Sequence, residues 1–208
     1  MVHVLRQTPG VCLGGLLTTV NESAGRVAMH AVREALLHMQ AAELELPVVV
    51  LPIPSPCPNE VYERTMSDAV QRAVADGFTH VAFGDLFLAD IRSYRERQLS
   101  GTGLTPLFPL FGADTATLAR EMIASGLRAR LTCVDPRVLD RRFIGREFDD
   151  HLLDELPLGV DPCGERGEFH SFSWAGPMFR RPIPVIDGDV VERDGFVFAD
   201  LIPADAAP

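Results

Sequence analysis

The densest chemistry in this sequence lies in GERGEFH, Gly164 to His170. Gly164 and Gly167 admit positive φ and let a ligand approach the backbone, while Glu165 and Glu168 put two carboxylates into one tight loop. Such a pair suits metal holding or proton transfer, because crowding raises the pKa of one member. The plainer alternative is a surface turn that its glutamates merely solvate. His170, at the loop's exit, fits a strand residue better than a base. A second constellation is Gly84 and Asp85 followed by Asp90, Arg92, Tyr94, Arg95 and Arg97. A carboxylate directly after a buried strand can hold Mg2+ or a ribose hydroxyl, and an arginine one or two turns later can reach a phosphate. The same residues equally suit a capping aspartate on a solvated helix laced with Glu96 and arginines. Arg137, Arg141, Arg142 and Arg146 form the one basic cluster. It either receives a phosphate or an acidic surface, or is neutralised by the interleaved Asp135, Asp140, Glu147, Asp149 and Asp150.

The elements that would position these residues alternate. Val11 to Val20 is a strand-like apolar run, with Asn21 to Ser23 as a turn and helix cap. Val32, Leu36 and Met39 recur at helical spacing, which predicts an amphipathic helix over Arg26 to Leu44. Val48 to Ile53 is short and β-branched, as a buried parallel strand is, and the prolines of Ile53 to Glu60 impose a rigid loop. Glu60 to Asp76 predicts a helix closed by Gly77, Thr79 to Phe83 a strand, and Asp85 to Gln98 a charged helix. Leu107 to Phe111 is a strand candidate. Asp114 caps a predicted helix to Ser125 that Gly126 ends, and Leu127 to Val134 is the next strand. Strands alternating with helices predict an α/β fold, a parallel sheet flanked by helices on both faces.

Beyond Asp135 the pattern becomes strand-rich. Gly159 to Gly167 is a polar loop, Phe169 to Trp174 alternates as a half-exposed strand does, and Phe196 to Phe198 is a further strand. Asp187 and Gly188 predict a hairpin turn between Pro184–Ile186 and Val190–Val191. Pro203 to Pro208 should fray. In open parallel sheets ligands bind at the strands' carboxyl ends, which singles out Thr18, Thr19, Asn21, Glu22, Ser55 to Asn59, Gly84, Asp85, Cys133 and Asp135. Position alone also suits ordinary turn formers and caps.

Composition narrows the function classes. The chain has 208 residues, 47% hydrophobic and 23% charged, and a formal charge of -10. That charge disfavours a protein that coats nucleic acid. No run approaches the roughly 18 to 20 apolar residues of a membrane span, and no signal peptide is evident, so a cytoplasmic globular protein is expected. Cys12, Cys57, Cys133 and Cys163 lack zinc-ligand spacing and are expected to be reduced thiols.

Together, LLTTVNE (16–22), VAMHAVRE (27–34), PNEVYE (58–63), HVAFGDLFLADIRSYRE (80–96), PLFPLFG (106–112) and DPCGERGEFHSF (161–172) resemble the diphthine ammonia ligase family, and in particular its bacterial members. The family belongs to the PP-loop (adenine nucleotide alpha hydrolase-like) superfamily. The resemblance implies a HUP or Rossmann-like parallel sheet over residues 1–135, which binds the nucleotide, and a smaller substrate-side appendage over 136–208. It implies ATP and Mg2+ as cofactors. A substrate carboxylate, on a small molecule or a protein side chain, would attack the α-phosphate of ATP, and ammonia would displace AMP from the acyl adenylate. In that scheme Thr18 and Thr19 line the adenosine pocket and His30 faces it. Gly84, Asp85 and Arg92 serve ATP, with Asp85 also on the metal. Glu165 and Glu168 position acyl group or ammonia, and Gly164, Gly167 and Phe169 border the substrate. A homodimer is the default for a soluble enzyme of this size.

One departure stands out. The family's Ser-Gly-Gly-Lys-Asp-Ser loop, where backbone N–H groups hold pyrophosphate, has no match here. MVHVLRQTPG instead predicts a helix of about seven residues, roughly 10 Å long. It is read as the second half of the family's first helix. The expectation is a chain short by about 25 to 30 residues, with its sheet left as two half-sheets. A non-catalytic nucleotide-binding or regulatory protein that has lost the loop is the alternative.

Overall fold

The structure is a computed structural model, and residues 1–204 are described. The chain opens with a helix, α1 (Val2–Gln7), followed by β1 (Leu16–Asn21), a two-residue β2 (Arg26–Val27), α2 (Glu34–Glu43) and β3 (Val48–Ile53). Next come α3 (Asn59–Ala75), β4 (His80–Ala82), α4 (Ala89–Leu99), β5 (Thr105–Leu107) and α5 (Thr115–Ala124). The remainder is β6 (Arg128–Val134), a 3-10 turn at Arg141–Phe143, α6 (Asp150–Glu155), β7 (Phe169–Ala175), β8 (Val185–Arg193) and β9 (Phe196–Pro203). No helix among the described residues is long and apolar enough to cross a membrane.

The fold is α/β, with parallel elements flanked by helices and a strand-rich C-terminal sheet. β1 and β3 run parallel from Leu16 opposite Val48 to Asn21 opposite Ile53. β4 and β5 form a second parallel pair, from His80 opposite Thr105 to Ala82 opposite Leu107. These pairs belong to separate sheets, so the expected half-sheets are present. The other sheet has the order β7-β6-β9-β8 and is antiparallel throughout. β6, predicted as the next strand of the parallel sheet, lies here instead. Its buried positions supply Ala129, Leu131 and Val134 to a core shared with Leu139, Phe143, Phe148, Leu152 and Phe169.

Several local predictions need correction. Pairing of β1 with β3 begins only at Leu16, so Val11 to Gly15 is not strand. The helix predicted from Arg26 starts eight residues later. Arg26 and Val27 instead fold back on β1, and Met29 (φ 63°) and Ala31 (φ 54°) take left-handed backbone that no helix contains. Asn21 caps no helix; its Oδ1 accepts from the Ser23 N–H and hydroxyl as a turn. α4 begins at Ala89 rather than Asp85, and β5 ends at Leu107, after which Phe108 turns. Asp187 and Gly188 make no hairpin. Between Asp187 opposite Leu201 and Val190 opposite Ala199, Gly188 and Asp189 together face Asp200, which is a bulge. A Cβ on Gly188 would lie 3.0 Å from Asp200 Cβ, so glycine lets the strands approach. The true turn is Asp194–Gly195, both at positive φ, as a two-residue type I′ turn requires. Pro203 is buried in β9 rather than frayed; residues 205–208 lie outside the described residues.

The N-terminal hairpin and α2 are joined to the C-terminal sheet in two ways. Val32 and Leu36 pack with Phe172, Ile183 and Leu201. Beside them, Asp200 on β9 accepts from Arg26 Nη1 at 2.7 Å and from Arg33 Nη2 at 2.5 Å, with its side chain only 15% exposed. Burial acts to raise the Asp200 pKa, but the two guanidiniums overcome it and hold the carboxyl below its ordinary value. Removing one partner of such a pair leaves uncompensated charge. Asp200→Asn should therefore lower unfolding free energy by about 2 kcal/mol in urea titrations. Asp187→Asn, whose carboxylate is 68% exposed, should cost under about 1 kcal/mol.

Candidate functional site

The Gly159–Gly167 loop is held by its own carboxylates. Asp161 is buried, and its Oδ1 accepts from the backbone N–H groups of Cys163 (2.9 Å) and Glu165 (3.2 Å). Its Oδ2 accepts from the Thr115 hydroxyl at 2.7 Å. Glu168, 5% exposed, accepts from the N–H of Asp161 on one oxygen and of Arg166 on the other, both at 2.9 Å. Gly164 has φ 69°, and a Cβ there would lie 2.7 Å from the Phe169 carbonyl oxygen. No other residue fits. Phe169 itself belongs to the core, against Phe148, instead of bordering open space.

Glu165 points elsewhere. Its Oε1 accepts from the Leu86 N–H at 2.7 Å, and its Oε2 has no hydrogen-bond partner among the described residues. The Arg166 guanidinium lies 5.0 Å above the Phe87 ring. The loop is thereby docked on the segment that follows β4, which carries Gly84 and Asp85. The two glutamates are not a shared-proton pair, because each oxygen that is engaged answers a different backbone donor. Cys163, beside them, has its thiol pushed up to about 12, first by burial and then by Asp161, Glu165 and Asp114.

At the exit of β4 the pairing differs from the sequence reading. Asp85, with a side chain 10% exposed, takes both oxygens to Arg95 at 2.8 and 3.2 Å. Arg95 also lies 4.3 Å over the Phe83 ring. Arg92 bonds Glu96 at 2.8 Å and sits 4.8 Å from the Phe108 ring centre and 4.7 Å from that of Phe111. So Asp85 and Arg92, expected to act together, are each matched to another residue. Gly84 is exposed, with open space where a Cβ would stand. A cavity of about 270 Å³ lies between α3 and α4, walled by Tyr62, Met66, Phe83, Tyr94 and Arg95.

The third group joins the two ends of the chain. Ala28 N–H donates to the Thr19 carbonyl, which brings the Met29–Ala31 turn to the carboxyl end of β1. His30 then meets His170 of β7, ring centres 4.5 Å apart and planes at 42°. His170 is pushed down to about 4 by burial and then by His30. Burial lowers His30 as well, against a hydrogen bond to the Ser171 backbone that raises it. The Thr18 and Thr19 hydroxyls have no hydrogen-bond partner among the described residues. In the basic cluster, Arg137 holds Asp135 and Arg146 holds Glu155, which is the self-compensating arrangement.

Sequence reasoning named Arg95 and His170 without pairing them to Asp85 and His30, and it assigned nothing to Asp161 or Asp200. Asp200 alone left a signal, a carboxylate inside the apolar run FVFADLIP. Among the described residues no group of three or more His, Cys, Asp or Glu is placed to hold a metal ion.

Comparison with known proteins adds an independent line. A family model described as diphthamide synthase C-terminal domain matches residues 114–198, from the cap of α5 into β9. The chain is 33% identical over 120 residues to a diphthine–ammonia ligase of Homo sapiens, covering 55% of this chain and 45% of that protein. It is 34% identical over 103 residues to the Mus musculus protein of that name, covering 47% and 39%. The Schizosaccharomyces pombe protein is 32% identical over 117 residues, covering 54% and 19%. The chain thus spans less than half the length of these relatives.

Two outcomes are expected from the geometry. Glu168→Gln turns one buried acceptor into a donor facing the Arg166 N–H, and should cost about 1 to 3 kcal/mol in chemical denaturation. Because His170 titrates lower in the folded chain than unfolded, the unfolded state binds the proton first. Stability is then full above the unfolded pKa and falls as pH drops toward about 4. The slope is up to about 1.4 kcal/mol per pH unit, and His170→Gln should flatten it in urea titrations across that range.

Proposed function

Because the chain belongs to the diphthine–ammonia ligase family, we propose that it is an ATP-dependent ligase that converts a carboxylate into an amide. The substrate class is a diphthine-type carboxylate, on a small molecule or a protein side chain. A carboxylate oxygen bonds to the α-phosphorus of ATP and pyrophosphate leaves. Ammonia then attacks the acyl carbon, loses a proton, and AMP departs with the electron pair of the broken C–O bond. The observation that carries this reading is the Glu165 bond to Leu86 N–H, which joins the two most specific motifs, GERGEFH and the Gly84–Asp85 segment.

The roles follow from what each residue has free. Thr18 and Thr19 offer unengaged hydroxyls for the adenosine, with His30 at the margin of the same pocket. Gly84 gives backbone access for phosphates, and the Arg92 guanidinium, stacked on two rings, is a fixed positive charge near them. Glu165 Oε2 is placed to accept a hydrogen bond from ammonia or to take its proton. Gly164 and Gly167 let the acyl group approach the loop, which Glu168 and Phe169 support from beneath. Asp85 does not fit a metal ligand while Arg95 occupies both of its oxygens.

A second reading has its own support. Asp85 and Glu168, two of the three carboxylates that the resemblance places in the site, are matched internally, as a non-catalytic nucleotide-binding protein would allow. Incubating the purified chain with ATP, ammonium and a panel of carboxylates separates the two. A chain supplied with the Ser-Gly-Gly-Lys-Asp-Ser loop should release AMP and pyrophosphate, reduced at least about 100-fold by Glu165→Ala, and the 208-residue chain alone should be nearly inactive. ADP and phosphate as products would overturn the ligase. Calorimetric binding of AMP or ATP by the 208-residue chain, with no product from the chain supplied with the loop, would establish the second reading.

A further inference from the structure

The His30–His170 contact is the least explained polar feature of the molecule. The two rings come from distant parts of the chain, and each is half-buried, so that they remain in reach of solvent. Their approach depends on strained backbone. Met29 and Ala31, on either side of His30, both hold left-handed φ without being glycine. Arg26 Nη1 fixes that turn by donating to the Ala31 carbonyl at 2.7 Å, and the same nitrogen is anchored on Asp200. Strain that the surroundings enforce in this way marks a side chain held for a purpose.

The electrostatic setting of the pair is equally unusual. The chain has 29 acidic and 19 basic residues, yet no carboxylate forms an ion pair with either imidazole among the described residues. Across β6, His170 faces Cys133, a thiol that burial and then Asp135 push up to about 11, and so uncharged. Asp135 is occupied by Arg137, and Glu168 at the start of β7 by two backbone donors. Arg26 and Arg33, flanking the turn, share Asp200 on β9, and Glu34 on α2 pairs with His38. β1 brings no titratable group. The imidazoles are thus two hydrogen-bonding rings with no anionic side chain paired to them among the described residues, lying where the exit of β1 meets the end of GERGEFH.

From this geometry we propose that His30 and His170 together receive the carboxylate of the acyl substrate. The proposal rests on the ligase reading, in which the carboxylate must meet ATP between β1 and the 164–170 loop. A carboxylate has two acceptor oxygens; His170 can turn one N–H to it, and His30, which already bonds the Ser171 backbone, offers a second N–H when protonated. Binding an anion here favours the charged form of the rings, so one proton from solvent enters with each carboxylate and ends on an imidazole nitrogen. No covalent bond changes.

Nuclear magnetic resonance of ring-15N-labelled histidines in the full chain tests it, with sodium acetate and inorganic phosphate as separate probes from pH 7 to pH 5. Acetate should move the His30 and His170 ring signals, its affinity rising about tenfold for each pH unit lowered. His30→Gln should remove that pH dependence and weaken acetate at least tenfold while the amide spectrum stays dispersed. The titration of the unaltered chain stands alone if the variant fails to fold. Ring signals unmoved by acetate overturn the proposal, and so do signals moved by phosphate alone, which would assign the pair to the nucleotide. Release of AMP and pyrophosphate from rings blind to acetate would sink this inference and spare the ligase. Acetate binding without AMP release would do the reverse.

Discussion

One carboxylate, Asp200, organises the meeting of the two halves of the chain. Arg26 and Arg33 lie on either side of the Met29–Ala31 turn, and both bond to it across more than 160 positions of sequence. Two guanidiniums on one partly buried carboxylate outweigh the desolvation that burial imposes. The consequences reach three elements. β8 must bulge, with glycine at 188, to leave room for Asp200. α2 is drawn onto the sheet, where Leu36 meets Phe172 and Leu201. The turn itself is locked by the Arg26 bond to the Ala31 carbonyl, and that places His30.

The GERGEFH loop shows how burial separates chemically equal residues. Glu165 and Glu168 are three positions apart, so type and spacing assign both to the same work. Glu168 is buried and holds two N–H groups of its own loop, which is what a capping acceptor does. Glu165 is half-buried and spends only one oxygen, on a different segment. A carboxylate with a free oxygen can take part in proton transfer or orient a nucleophile; one with both oxygens bonded to backbone fixes geometry. The loop therefore presents one carboxylate with a free oxygen on a rigid mount rather than a pair.

Where local rules decide structure, the sequence was readable. α5 has its Asp114 cap accepting from Thr117 N–H, and Gly126 follows its end at φ 91°. α3 and β3 lie within a residue or so of their expected limits. Residues 26–33 were misread because Val32, Leu36 and Met39 keep helical spacing whether or not the helix includes Arg26. The competing structure is decided by Asp200, far away in the chain. Arg95 and Arg92 illustrate the same limit inside one helix. They sit within one turn of each other, and only the positions of Phe83, Phe108 and Phe111 direct one guanidinium to Asp85 and the other to Glu96. His170 alternates correctly as a strand residue, and nothing nearby signals that a second imidazole will reach it.

These contacts converge on residues 161–170. Glu165 reaches the segment after β4, and His170 reaches the turn after β1, so a single ten-residue stretch touches the exit of one strand in each parallel pair. A ligand lying across those exits would meet that stretch as its far wall. The wall is mounted on β6 and β7, whose core of Leu131, Val134, Phe148 and Phe169 does not depend on the parallel strands. The nucleotide-side and acyl-side groups of the proposed ligase therefore rest on separate supports, linked by Asp200 and by Glu165. Under the ligase reading, changes in the acyl partner can be absorbed at Glu165, Gly167 and His170 without disturbing the strands that face ATP.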